Sequence, residues 1–232
     1  MSDFLPDLNA LFGDNEEETP QENKGQDVYF KLPEEARTVI RILPGNSPDA
    51  KPMVIWYETW NVADRGPILI ATTEEEFENS PVRKLEKRLR AFVKANPQAK
   101  EALTGDSSVL RAFRAQKKVG MNVLFRGKED GGVGILRLPG GFITWVKKEI
   151  PTQRALDPTW NFLHPTTGND LMVSYFPQTY KKSPGQMYSY TFAPKQIPIG
   201  LENWASSLHD LKERCIDTMQ VISPEAIVTI LQ

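Results

Sequence analysis

The chain has one cysteine, Cys215, and two histidines, His164 and His209, in 232 residues. A single thiol excludes an internal disulfide framework and any multi-thiolate metal site. His164 stands beside Pro165 and His209 falls in a segment with helical spacing, so neither sits among further ligands or acid–base partners. No GxxxxGK[ST] or GxGxxG run is present, and no Ser or Cys occupies a recognisable nucleophile elbow. The glycines of GGVG and PGG read as hairpin residues with no following helix N-terminus to hold a phosphate. Carboxylates gather in the first residues and in scattered solvent positions, with no visible acid/base pair. No enzyme activity, cofactor or metal is therefore expected. No apolar run approaches the ~20 residues that span a bilayer, and no basic start leads into an apolar stretch. These absences predict a soluble protein of a reducing cytoplasm with no membrane contact.

The net charge of −2 conceals an asymmetry. Residues 1–36 hold ten Asp/Glu and two Lys, a net of −8, which leaves −2 − (−8) = +6 for the remainder. The total argues against a nucleic-acid partner, whereas the distribution permits one. Residues 1–27 predict an acidic, disordered arm, because DNEEETPQENKGQD cannot bury enough to offset its ordering entropy. Phe4, Leu5, Leu8, Leu11 and Phe12 precede it as an apolar patch at helical spacing. That combination also suits a peptide that docks on a partner or on the protein's own basic groove.

Beyond the arm, Thr38 to Trp60 reads as two strands joined by the turn cluster Gly45 to Asp49, a hairpin carrying Arg41, Trp56, Tyr57 and Trp60. Alternation puts Trp56 and Trp60 on one face and Tyr57 on the other. The Trp face is expected to support the core, with Arg41 and Tyr57 facing a groove. ILIATT reads as a short strand. SPVRKLEKRLRAFVKANP is the clearest helix, with Ser80 as N-cap and Pro81 at the first helical position. Val82, Leu85, Leu89, Phe92 and Val93 share one face. Eleven Lys/Arg stand against four Asp/Glu from Glu78 to Lys118, which favours an anionic partner over a merely solvated surface.

Arg111, Arg114, Lys117 and Lys118 lead into the strand GMNVLFRG, and GILRLP returns with Arg137. FITWVKKEIP follows as a short helix or strand bearing Lys147 and Lys148. LMVSYF then predicts a strand carrying Tyr175. TYKKSPGQMY predicts a hairpin loop tipped by Lys181 and Lys182 between Tyr180 and Tyr188. From Leu201 the spacing of Trp204, Leu208, Leu211, Cys215 and Met219 predicts a core-facing helix, with a last short helix after Ser223. Trp160 and Trp204 are expected in the core. The whole predicts a mainly β fold with added helices: an OB-fold, Greek-key β-barrel core over residues 28–200, a basic helical insertion at 78–118, and a C-terminal helical segment, 201–232, packed on the core.

The order of VIRILP, the Ser80-Pro81 helix, the basic lead-in to NVLF, LRLPGGFITWVKKEI and HPTTGNDLMVSYF resembles the core of the T4-type bacteriophage single-stranded-DNA-binding proteins, over about residues 30–200. The resemblance implies an OB-fold groove that holds single-stranded DNA, without reading its sequence, during phage replication, recombination and repair in the host cytoplasm. Phage replication proteins (polymerase, helicase loader, recombinase) and further copies along the strand are the implied partners. By matching position it carries over Arg41, Arg114, Lys117, Lys118, Arg137, Tyr180, Lys181 and Lys182. Tyr57, Arg83, Lys87, Arg88, Arg111, Lys147, Tyr175 and Tyr188 complete the expected contact set. The family's zinc-binding Cys-Pro-x-Cys is here Ser80-Pro81-Val82-Arg83, so no zinc is expected and apolar packing by the basic helix replaces it. The family's basic N-terminal arm is replaced by an acidic one, and its acidic C-terminal tail has no counterpart. The competing reading is a non-enzymatic protein–protein adaptor, or a transcription or replication accessory factor, on an OB scaffold. RNA as the bound strand is a variant of the first.

Overall fold

The computed structural model describes residues 28–33, 36–45, 50–59, 67–100, 114–180 and 183–221, with the side chains of residues 36 and 177–187 left aside. The chain is mixed α/β with a mostly antiparallel, open sheet, rather than mainly β around a closed barrel. Two compact units divide it: residues 1–24, 55–118 and 216–232 form the first, residues 25–54 and 119–215 the second.

In the first unit, β3 (Met53–Thr59, of which residues 55–59 belong here) pairs antiparallel with β4 (Ile68–Ala71), with a register shift at Tyr57/Glu58. A short β9 (Gln220–Val221) runs parallel to β4. Helix α1 (Glu74–Asn79) starts with a capping box in which Thr73 accepts from the Glu76 amide and the Glu76 carboxylate accepts from the Thr73 amide. Ser80 ends α1 and begins α2 (Pro81–Ala95): its hydroxyl donates to the Phe77 carbonyl at 2.7 Å and accepts from the Arg83 amide at 3.1 Å. The expected helix forms with Val82 and Leu85 buried. Trp56 is interior as expected, its indole donating to Glu58 at 2.6 Å.

The second unit contains β1 (Tyr29–Phe30), β2 (Ala36–Ile42), residues 119–125 of β5 (Gln116–Phe125), β6 (Gly134–Pro139), α3 (Gly141–Leu156), β7 (Asn169–Tyr180) and β8 (Ser183–Gln196). Its strand path is β8–β7–β2–β5, with β6 also on β5 and β1 parallel to β6. Among the described residues no pairing joins β8 to β1, so the sheet stays open. The expected hairpin from Thr38 to Trp60 does not form: β2 pairs with β5 on one side and β7 on the other, while β3 pairs with β4. Both edges of β2 are taken by distant apolar strands, which bury Ile40 and Ile42. The ladder of β7 and β8 continues to Tyr180↔Ser183, so the expected ten-residue loop is mostly paired strand. Phe142 on α3, Trp160, Phe162 and Phe192 form an aromatic group in the core, with Trp145 and Tyr190 against it.

The single helix expected from Leu201 is broken. A 3₁₀ turn covers Trp204–Ser207, and a π turn covers Glu213–Asp217. Between them, Asn122 of β5 donates to the His209 carbonyl at 3.0 Å and accepts from the His209 amide at 3.1 Å. Those two bonds claim backbone groups that a continuous helix would use. Trp204 and Leu208 still pack on Leu43, Leu124 and Ile199.

Candidate nucleic-acid interface

The cavity that gathers most of the chemistry lies in the second unit, where the sheet fails to close. The two-residue strand β1 sets one wall. Tyr29 and Phe30 point to opposite sides of an extended backbone. They pair with Ile135 and Leu136, and the Val28 carbonyl accepts from the Ile135 amide at 2.7 Å. Phe30 stacks on Phe125 at 4.4 Å between centroids. It lies so close over Gly134 that a Cβ there would meet its ring at 2.5 Å, so only glycine fits. Tyr29 donates its hydroxyl to the Arg214 carbonyl. The Arg137 guanidinium sits 4.2 Å from the Tyr29 ring centroid and donates to the Tyr29 hydroxyl at 2.9 Å.

Opposite stand Tyr175 and Tyr188, direct partners in the β7–β8 ladder with ring centroids 5.0 Å apart. Tyr175 is buried and Tyr188 half-buried. Burial first, and the neighbouring Tyr175 second, push the Tyr188 phenol above its ordinary range, so the Tyr188 ring is neutral at physiological pH. The cavity between these walls measures about 420 Å³ and is completed by Lys31, Leu32 and Arg137.

Two further cavities, of about 600 and 750 Å³, adjoin this one at Lys31, which lines all three, and share Lys128 with each other. Along them lie Arg37, Phe125 and Arg126. The side chains of Lys31, Arg37 and Lys128 are exposed and have no ion-pair or hydrogen-bond partner among the described residues. Arg126 is committed: it grips Asp170 through Nε at 2.8 Å and Nη2 at 2.9 Å, and donates to the Ile199 and Pro198 carbonyls. Glu129 and Asp130 are the acidic neighbours, Glu129 lying 3.9 Å from Arg126. The result is a concave path along which lie cations with no ionic partner among the described residues, with flat rings at one end.

No protein-family model matches the chain, and no curated protein matches it either. The site therefore stands on its geometry.

Of the residues expected to bind, the structure brings Arg137, Tyr175 and Tyr188 into one cavity. Arg41, expected on a groove, is instead 0 % exposed, with Nη1 3.4 Å from Asp170 and Nη2 donating to the His164 carbonyl at 2.7 Å. Desolvation lowers its pKa while Asp170 supports the charged form, so this cation serves the core. Tyr57, also expected on a groove, is 4 % exposed and stacks on Phe77 at 4.2 Å with its hydroxyl on Glu74. Several expected cations carry carboxylate partners in the first unit. Arg83 bonds Glu78 and Glu86, Lys87 bonds Glu78, Lys117 bonds Glu74, and Lys118 lies 3.7 Å from Glu58. Arg88, Arg114 and Lys147 are exposed without such partners among the described residues. Arg111, Lys181, Lys182 and the Tyr180 side chain fall outside the described residues.

Sequence reasoning missed Tyr29, Phe30, Lys31, Arg37 and Lys128. In VYFKL two consecutive aromatics stand next to a cation, a usable signal beside the acidic arm.

Proposed function

We propose that this protein binds single-stranded nucleic acid without sequence preference, and does so as a binding protein rather than an enzyme. The observation that carries the proposal is the Tyr175–Tyr188 pair facing Tyr29 and Arg137 across a cavity continuous with unpaired Lys31, Arg37 and Lys128. Rings of this kind stack bases, each worth about 1–3 kcal/mol, and the cations neutralise phosphates and release counterions. A duplex keeps its bases stacked inside and offers the rings nothing, so the path favours a single strand. The resemblance to T4-type phage proteins points to DNA as the strand, to phage replication, recombination and repair as the setting, and to the host cytoplasm as the place. The open sheet of the second unit is read as an OB-type barrel parted where the strand enters. No helix among the described residues is long and apolar enough to cross a membrane.

The test is a fluorescence titration of oligo-dT, oligo-U and duplex DNA at two salt concentrations. Single strands are expected to bind more tightly than duplex, with quenching of aromatic emission and affinity that falls steeply with salt. Tyr188→Ala should weaken single-strand binding about 5- to 150-fold across all oligonucleotide sequences. Absence of binding at low salt, or full affinity in Tyr188→Ala, would remove this function from the groove.

A further inference from the structure

Helix α2 carries its apolar stripe beyond the core that covers it. Val82 and Leu85 are buried, Leu89 and Val93 are half-buried, and Phe92 is 51 % exposed. Along one ridge, Lys84, Arg88 and Phe92 follow at i, i+4 and i+8, beside a second ridge of Leu85, Leu89 and Val93. Arg83, Lys87 and Arg90 are neutralised by Glu78 and Glu86. Lys84 and Arg88 have no such partner among the described residues. The uncovered surface is therefore an apolar ridge edged by two open positive charges, which asks for a ligand with an apolar face and a flanking row of carboxylates.

This chain contains such a segment outside the described residues. In residues 3–12, Phe4, Leu5, Leu8, Leu11 and Phe12 fall on one side of a helix, and Asp3 and Asp7, four apart, lie along its edge. Asp3 suits the N-cap, Pro6 then falls at the third helical position, where an amide has no intrahelical acceptor, and Gly13 suits the stop. Ten residues are too few to hold a helix in water without a surface to pack on. Eight Asp/Glu against one Lys over residues 1–27 add long-range attraction to a basic face. We propose that residues 3–12 dock as a short amphipathic helix on the Phe92 face of α2 in the same chain, with Asp3 and Asp7 beside Lys84 and Arg88. Tethering favours the segment's own chain over a second copy, because a covalent link makes docking intramolecular and raises the effective concentration. The proposal concerns a surface other than the groove and does not depend on nucleic-acid binding.

The experiment places the photo-reactive analogue p-benzoylphenylalanine at Phe92 in the full chain. An equal mixture of ordinary and ¹⁵N-labelled protein is irradiated at low and high salt, then digested for mass spectrometry. The expected product joins position 92 to the peptide containing residues 3–12, with both halves carrying the same isotope. Its yield should fall several-fold at high salt and in an Asp3→Lys/Asp7→Lys variant, and return when Lys84→Asp/Arg88→Asp is added. Mixed-isotope products, products with any other segment, or the absence of a product with residues 3–12 would each overturn it. So would a yield indifferent to the charge reversal.

Discussion

Arg41 shows how one residue changes role between sequence and structure. In VIRIL it stands as a cation among apolar neighbours, which reads equally well as a groove contact. Its counter-ion, Asp170, is 129 residues away in sequence, and nothing near Arg41 announces it. In the fold, Asp170 is shared by Arg41 and by the two-pronged grip of Arg126, a cluster in which Arg41 and Asp170 are buried and Arg126 is part-exposed. Removing the shared anion leaves the buried Arg41 cation without its carboxylate and beside a second cation. Asp170→Asn should therefore destabilise the protein by about 3–5 kcal/mol, read as a lowered midpoint in urea unfolding. A midpoint near that of the wild type would show that the cluster contributes little. Gly168 is tied to the same cluster, since a Cβ there would lie 2.5 Å from Arg41 Nη2 and from the His164 and Phe162 carbonyls. Tyr175 and Tyr188 are legible in the sequence as aromatics on the two strands of one hairpin. Their mutual contact, in contrast, required the register.

At the level of elements, local signals gave the most reliable reading. Ser80, Pro81 and a five-residue apolar stripe specify α2 without help from tertiary contacts, and it forms as expected. Its charges were less legible, because sequence counts cations but not their pairing. Glu86, 6 % exposed, accepts from Arg83 at 2.9 Å and from Arg90 at 2.7 Å. Burial acts to raise its pKa, yet the bonds from Arg90 and Arg83 outweigh that and hold the carboxyl below its ordinary value of 4.5. A depressed folded pKa contributes stability that is complete above the unfolded value and lost as pH falls through the folded one. Thermal stability should therefore decline below about pH 4.5, and Glu86→Gln should make that decline shallower while lowering stability at pH 7. An identical pH profile in the variant would show that Glu86 does not carry the effect. Ser80→Ala should cost about 1 kcal/mol, since one hydroxyl serves the end of α1 and the start of α2. Elements defined by distant pairing were the harder ones. The strands β2 and β3 are neighbours in sequence but take different partners, and the C-terminal stripe breaks where Asn122 claims the His209 backbone.

For the molecule as a whole, net charge is a poor guide to its partner. The total of −2 coexists with a path whose Lys31, Arg37 and Lys128 side chains have no counter-ion among the described residues. Each of these in contact with a phosphate would contribute about 0.7 to the slope of log affinity against log salt for a single strand. A triple alanine variant should thus flatten the slope by about 2 while leaving relative affinities among oligonucleotides unchanged. An unaltered slope would take these three residues out of the phosphate path. The open, curled path through the second unit was beyond sequence reasoning, because curvature depends on which strands meet. The presence of short strands and one basic amphipathic helix was within it.

The wall of the groove is also its thinnest part. Strand β1 is two residues long and pairs, among the described residues, with β6, whereas β5 is ten residues long and lies inside the sheet. Local opening of so short a strand exposes little apolar area, so its free energy lies far below that of global unfolding. Amide hydrogen exchange should accordingly be fast in the peptide that spans β1 and slow in residues 119–125. A strand of nucleic acid seated against Tyr29 and Lys31 would suppress that opening, which makes β1 a built-in reporter of occupancy. Exchange across residues 28–33 should slow on addition of oligo-dT, and unchanged exchange at saturation would place the ligand elsewhere.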